Sequence, residues 1–251
     1  MRLSYQLLIS LLLPFIWLSH SAFSQESLTS EYKIKSTPTE ILGLEQAQKN
    51  NAYIDVDQNL TYAIYLPNGY NPSKPAGIMV FAGVNRKPNP PFNWVSAIRE
   101  SNLILVEARA SGSEASYRQR ELLAEMAVSL VSQKHIIDKN RIYITGEGRV
   151  ASVVAMNNPD VFKGAIYTNG NLWTDNAETK LDAIKQNRFV FLTTERKIPA
   201  KGTRAVFYKY QKAGIENTKL MLLIRPRDPK VRRTDLIQAI NYLDNPGDGN
   251  S

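Results

Sequence analysis

Cysteine is absent from the 251 residues. Its absence excludes disulfides, a thiol nucleophile, a lipid-modified cysteine and any metal centre built on thiolates. Histidine is nearly absent: the chain holds 2, His20 and His135. No imidazole base can therefore come from the chain beyond residue 135. A metal would have only carboxylates to hold it, and these show no ligand spacing, so neither metal nor cofactor is expected. No basic stripe interleaved with aromatics is present, and no recognition motif, so nucleic acid is not an expected partner. Internal repeats are missing too, and nothing marks off a second domain.

What is present is a chain with 43% hydrophobic and 22% charged residues, a balance that fits one soluble globular domain with a sizeable core. The apolar run Leu7–Leu18 is short for a membrane span. Arg2 precedes it and Ala22-Phe23-Ser24 follows it, so residues 1–24 read as a secretory leader cleaved before Gln25. A periplasmic or secreted protein with no membrane span after cleavage is expected. The formal net charge is +8. A basic exported protein meets acidic polymers, membrane surfaces or anionic small molecules, but the net value alone favours ordinary solubility charge.

Along the chain, residues 25–50 are polar and predict a flexible arm with one irregular segment. Residues 51–244 form the predicted domain, and 245–251 a polar tail. Tyr53–Val56 and Thr61–Leu66 read as a hairpin around Asp57-Gln58-Asn59. Gly77–Gly83 is a continuous apolar run, as expected of a strand buried on both faces of a parallel sheet. Leu103–Ala108, Ile142–Thr145, Gly164–Thr168, Phe189–Thr193 and Leu220–Ile224 read as further strands. Helices are predicted at Trp94–Arg99, Ser116–Lys134, Val150–Met156, Thr203–Ala213 and Thr234–Leu243. This alternation predicts an α/β fold with a doubly wound, mostly parallel sheet.

One stretch organises the functional reading. Arg141-Ile142-Tyr143-Ile144-Thr145-Gly146 is a β-rich run ending in Thr-Gly, and Glu147-Gly148-Arg149-Val150-Ala151-Ser152 turns it into a helix. A strand, a sharp turn and a helix of small residues make a nucleophile elbow, whose usual pattern is Gly-x-Ser-x-Gly. Counted from Gly146, the serine position is Gly148 and the second glycine is Val150. Glycine suits the strained turn and relaxes about 1–3 kcal/mol that a side chain would store there. The elbow is kept while its nucleophile is missing.

The approach Asp138-x-x-Arg141-Ile142-Tyr143-x-Thr145-Gly146 resembles the secreted esterase branch of the α/β-hydrolase fold, which includes polyhydroxybutyrate depolymerases and feruloyl-esterase-like proteins. Tyr65-Leu66-Pro67, the Trp94 helix, Asn158-Pro159-Asp160-Val161-Phe162 and the segment from Gly202-Thr203 to Ala213-Gly214 extend the likeness over about Thr61–Leu243. The resemblance implies a Ser, Asp, His triad in chain order. The matching positions here are Gly148, Lys197 and Asp228. No catalytic residue is therefore assigned, and the chain reads as a degenerate member without the triad.

Every loop that the resemblance brings to the C-terminal edge of the sheet carries cations. Arg86 and Lys87 follow the first buried strand, and Arg149 lies on the elbow. Arg196, Lys197 and Lys201 occupy the acid loop; Arg225, Arg227, Lys230, Arg232 and Arg233 occupy the histidine loop. Arg86, Glu147, Arg149, Lys197, Arg225 and Arg227 are the candidate ligand-binding residues, suited to a carboxylate or phosphate. Three functional readings stay open. The first is an inert protein binding an anionic small molecule or an envelope polymer. The second is an esterase with a rearranged site, in which Thr145 or Ser152 serves as nucleophile or Lys197 as base. The third is a complex-forming subunit with a protein partner. His135 is expected as a surface or helix-end residue.

Overall fold

The computed structural model describes residues 30–83, 90–109, 114–146, 149–168, 173–194, 202–223 and 230–246. Residues 1–24, the expected leader, lie outside them. The eight strands are β1 (Glu31–Ser36), β2 (Leu60–Tyr65), β3 (Ala76–Ala82), β4 (Leu103–Ala108), β5 (Ile137–Gly146), β6 (Gly164–Tyr167), β7 (Arg188–Thr193) and β8 (Thr218–Leu222). They form one sheet in the order β1-β2-β4-β3-β5-β6-β7-β8. β2 is antiparallel to both of its neighbours, and the pairs from β4 to β8 are parallel. The sheet is thus mostly parallel and doubly wound, as the alternation of elements predicts.

The helices are α1 (Pro38–Leu42), α2 (Leu44–Lys49), α3 (Phe92–Glu100), α4 (Tyr117–Lys134), α5 (Val150–Asn157), α6 (Leu181–Lys185), α7 (Thr203–Lys212) and α8 (Arg233–Asp244). Side chains alternate across each strand, so β3 sends Ile78 and Val80 to one face and Met79 and Phe81 to the other. The first face is covered by α4, α5 and α7, and the second by α3 and α8. All four β3 side chains are essentially without solvent contact, which is why this strand reads as an unbroken apolar run.

Two expectations are corrected. Residues 31–49 are not a flexible arm but hold β1, α1 and α2. Tyr32 and Ile34 pack inward while Glu31, Lys33 and Lys35 face water, the period-2 signature of an edge strand. Thr37 and Glu40 close a capping box around Pro38 at the start of α1. The predicted hairpin is also replaced: residues 53–56 are turns, and β2 pairs with β1 instead. A third element escaped the sequence pattern, a 3-10 turn at Asp175–Lys180 running into α6.

The Asp-x-x-Arg-Ile-Tyr approach has a structural use. Residues 138–141 interrupt the ladder between β3 and β5, where Ala76 pairs with Ile137 but Ile78 with Ile142. Arg141 then reaches Asp244 at the end of α8, with Nε donating to Oδ1 at 2.8 Å and Nη2 to Oδ2 at 2.7 Å. The Tyr143 hydroxyl donates to the same Oδ1 at 2.9 Å. These bonds fasten the last helix to the sheet.

Candidate functional site

The parallel strands fix where a site belongs. β3, β5, β6, β7 and β8 all end at one edge, and the order reverses around β3, whose neighbours are β4 and β5. Ligands of open α/β sheets bind at such a point. The stretch read as an elbow begins there: Gly146 pairs with Ala82 at the ends of β5 and β3, and residues 147 and 148 lie outside the described residues. A Cβ on Gly146 would lie 2.0 Å from the Ala82 carbonyl oxygen, so only glycine fits. The chain re-enters α5 at Val150, which is buried, with exposed Arg149 before it.

Of the six candidate ligand-binding residues, Arg149 alone is among the described residues. Arg86, Glu147, Gly148, Lys197, Arg225, Arg227 and Asp228 lie outside them, as do Lys87, Arg196 and Lys201. Arg233 is described and forms an ion pair with Glu100 on α3, so its charge is already matched. Both candidate substitute nucleophiles are buried. The Thr145 hydroxyl donates to the Ile166 carbonyl at 2.9 Å, and the Ser152 hydroxyl to the Arg149 carbonyl at 2.8 Å. Each therefore serves main-chain packing, as expected from its place in strand or helix.

His135 is at the opposite edge. It caps the C-terminus of α4, and the adjoining Ile136 carbonyl accepts from the N–H of Ala76, at the start of β3. The run from Ala76 to Ala82 separates the two edges by about 20 Å. The ring is hydrogen-bonded on both sides, Nε2 with the Tyr32 hydroxyl at 2.6 Å and Nδ1 with the Tyr70 hydroxyl at 2.8 Å. It cannot serve the elbow from there.

Two buried charges near the site edge went unread in the sequence. Arg120 on α4 donates to the Gly83 carbonyl at 2.9 Å and to the Ala115 carbonyl at 3.1 Å, tying the end of β3 to the start of α4. With Val80, Leu123, Ala124 and Val150 it lines a small cavity beneath the elbow. Glu107 ends the apolar run of β4 and is fully buried; that polar residue closing a buried strand was the available signal. Arg109 Nη2 approaches its Oε1 at 2.6 Å, yet neither carboxylate oxygen has a well-aligned hydrogen bond among the described residues. Burial pushes its pKa up to about 7, against the pull of Arg109.

Because the folded value is raised, this group favours folding when protonated. Its contribution is complete below the ordinary carboxylate range and is lost as pH rises through about 7. Glu107→Gln is therefore expected to raise stability relative to the parent at pH 8, by about 2 kcal/mol, and to change it little at pH 5. Urea unfolding at both pH values checks this; a parent more stable than the variant at pH 8 refutes it.

Among the described residues no group of three His, Asp or Glu could hold a metal ion. No described helix is long and apolar enough to cross a membrane.

The sequence matches no family model and no curated protein. Solved structures match its fold. A thermostable esterase superposes with a TM-score of 0.58 at 15% identity, covering 86% of this chain; the chain spans 62% of that esterase's length. A ferulic acid esterase gives 0.57 at 12% identity over 85% of this chain and 98% of its own. An esterase of the planctomycete Thermogutta terrifontis, solved with propionate bound, gives 0.54 at 14% identity over 85% and 94%. Identities of this size establish a shared fold rather than a shared activity. By its sheet order, its elbow and these neighbours, the chain is a single-domain protein of the α/β-hydrolase fold.

Proposed function

We propose that the chain is an exported, non-catalytic α/β-hydrolase-like protein that binds an anionic ligand at the edge where the esterases of this fold react. It would be a degenerate relative of the polyhydroxybutyrate depolymerase and feruloyl-esterase-like proteins. The position of His135 carries the reading. It is the one histidine outside the expected leader, and it lies about 20 Å from the elbow with both ring nitrogens engaged. An elbow without serine and without an imidazole has no nucleophile and no base to activate one. The buried hydroxyls of Thr145 and Ser152 support no substitute. Exposed Arg149 at the start of α5, with Arg86, Lys197, Arg225 and Arg227 following β3, β7 and β8 in the sequence, supports recognition of a carboxylate or phosphate.

Two measurements test this. The purified chain is expected to hydrolyse p-nitrophenyl acetate no faster than buffer. Its binding of inorganic phosphate, followed by calorimetry, is expected to weaken about tenfold in Arg149→Glu, the loss of roughly one charge-assisted contact. Clear turnover overturns the first half, and undiminished phosphate binding by Arg149→Glu overturns the second.

A second reading has the names of the structural neighbours behind it: an active carboxylic ester hydrolase with a rearranged site. It requires a serine–lysine arrangement using Lys197 in place of the imidazole. Labelling by a fluorophosphonate, lost in Lys197→Ala, would select it.

A further inference from the structure

His135 joins three parts of the chain that are distant in sequence. Tyr32 comes from β1, 103 residues away, and Tyr70 from the loop after β2, 65 residues away. The Tyr70 ring meets the imidazole edge-on at 87°, with centroids 5.4 Å apart. The three side chains are half-buried. β1 needs such a tether. It lies at the margin of the sheet with β2 as its neighbour, Glu31, Lys33 and Lys35 face water, and Tyr32 and Ile34 are its inward-packed apolar side chains.

A neutral imidazole has one N–H and one bare nitrogen. In the cluster one phenol therefore donates to the bare nitrogen, and the ring N–H donates to the other phenol oxygen. Protonation puts a hydrogen on both nitrogens. The donating phenol must then turn its own hydrogen away, and a cation appears in a half-buried site. The titratable groups around the ring are Tyr32 from β1, Tyr70 from the loop and Lys134 from α4 itself. Among the described residues no carboxylate is paired with it to offset the charge.

We propose that Tyr32, His135 and Tyr70 form an acid-sensitive clasp that holds edge strand β1 on the sheet at neutral pH and releases it in acid. Burial, and secondarily Lys134, hold the His135 pKa below its ordinary value. The folded, clasped state thus prefers the neutral ring. The clasp is complete above about pH 6.5 and weakens as pH falls below it. Release uncovers the outer edge of β2, which then offers unpaired main-chain groups to another strand.

Hydrogen exchange on the full-length chain tests this at about pH 7.5 and about pH 5, with each rate divided by the intrinsic rate at that pH. Protection of the β1 amides is expected to fall about tenfold in acid relative to β3. In His135→Gln the fall should disappear. In Tyr32→Phe the β1 amides should be poorly protected at both pH values while β3 is unchanged. Equal β1 protection of the parent at both pH values overturns the proposal. So does an undiminished acid response in His135→Gln, or full protection of β1 in Tyr32→Phe. None of these outcomes depends on whether the opposite edge binds an anion.

Discussion

Gly146→Ala is expected to lower the free energy of unfolding by more than about 3 kcal/mol and the melting temperature by about 10 °C. The added Cβ meets the Ala82 carbonyl oxygen at 2.0 Å, its carbonyl carbon at 2.7 Å and its nitrogen at 2.9 Å. All three are main-chain atoms of β3, so no rotamer change can make room. Relief requires β5 to move away from a strand that is buried along its whole length. Gly69→Ala is the control. That glycine has φ +65° but no atom within 4 Å of the added Cβ, so the variant should lose only about 1 kcal/mol to backbone strain. Denaturant unfolding of both variants decides the matter, and losses of equal size would refute the packing account. The expected contrast bears on function: the first glycine of the elbow is required by strand contact whether or not the turn carries a nucleophile.

Asp244→Ala is the second large effect, with an expected cost of about 3 kcal/mol. The carboxylate accepts a paired donation from Arg141 and a third bond from Tyr143, and Arg141 and Asp244 are about one-fifth exposed. Removing it leaves the half-buried guanidinium without its ion-pair partner, while the Tyr143 hydroxyl can still donate to the Leu243 carbonyl at 3.2 Å. Arg141 keeps two further bonds, from Nη2 to the Ser101 carbonyl at 2.9 Å and from Nη1 to the Asn102 carbonyl at 3.5 Å, which limit the loss. The double variant Arg141→Ala/Asp244→Ala should cost less than the sum of the single variants. Strict additivity would show that the two side chains act independently.

The residues explain what could and could not be read in advance. β3 and β4 announce themselves because both faces of each strand are buried. β1 does not, since Glu31, Lys33 and Lys35 alternate with only two inward apolar groups and composition there looks like a polar arm. β8 begins two residues earlier than its apolar run suggests, because Thr218 and Lys219 already pair with β7. At the site, the glycine at the motif's serine position and the lack of any histidine after residue 135 are plain from the sequence. The uses of Glu107 and Arg120 are not, because burial of a charged side chain depends on strands and helices far apart in sequence. The place of His135 at a helix end was legible; its two phenol partners were not, being contributed by β1 and by a loop.

The cover provided by α8 has a consequence for how the molecule is made. Synthesis runs from the N-terminus, and Leu236, Ala239, Ile240 and Leu243 of α8 pack on the same face as Met79, Ile166 and Val190. Those strand residues emerge from the ribosome well before Arg233. Until α8 follows, α3 alone shields that face, and the nascent sheet presents an apolar surface to whatever surrounds it. The Arg141–Asp244 lock forms last, between a strand made midway and a helix made late. A chain lacking the residues from 233 onward would leave Met79, Ile166 and Val190 without that cover, and α8 is the element that completes the face.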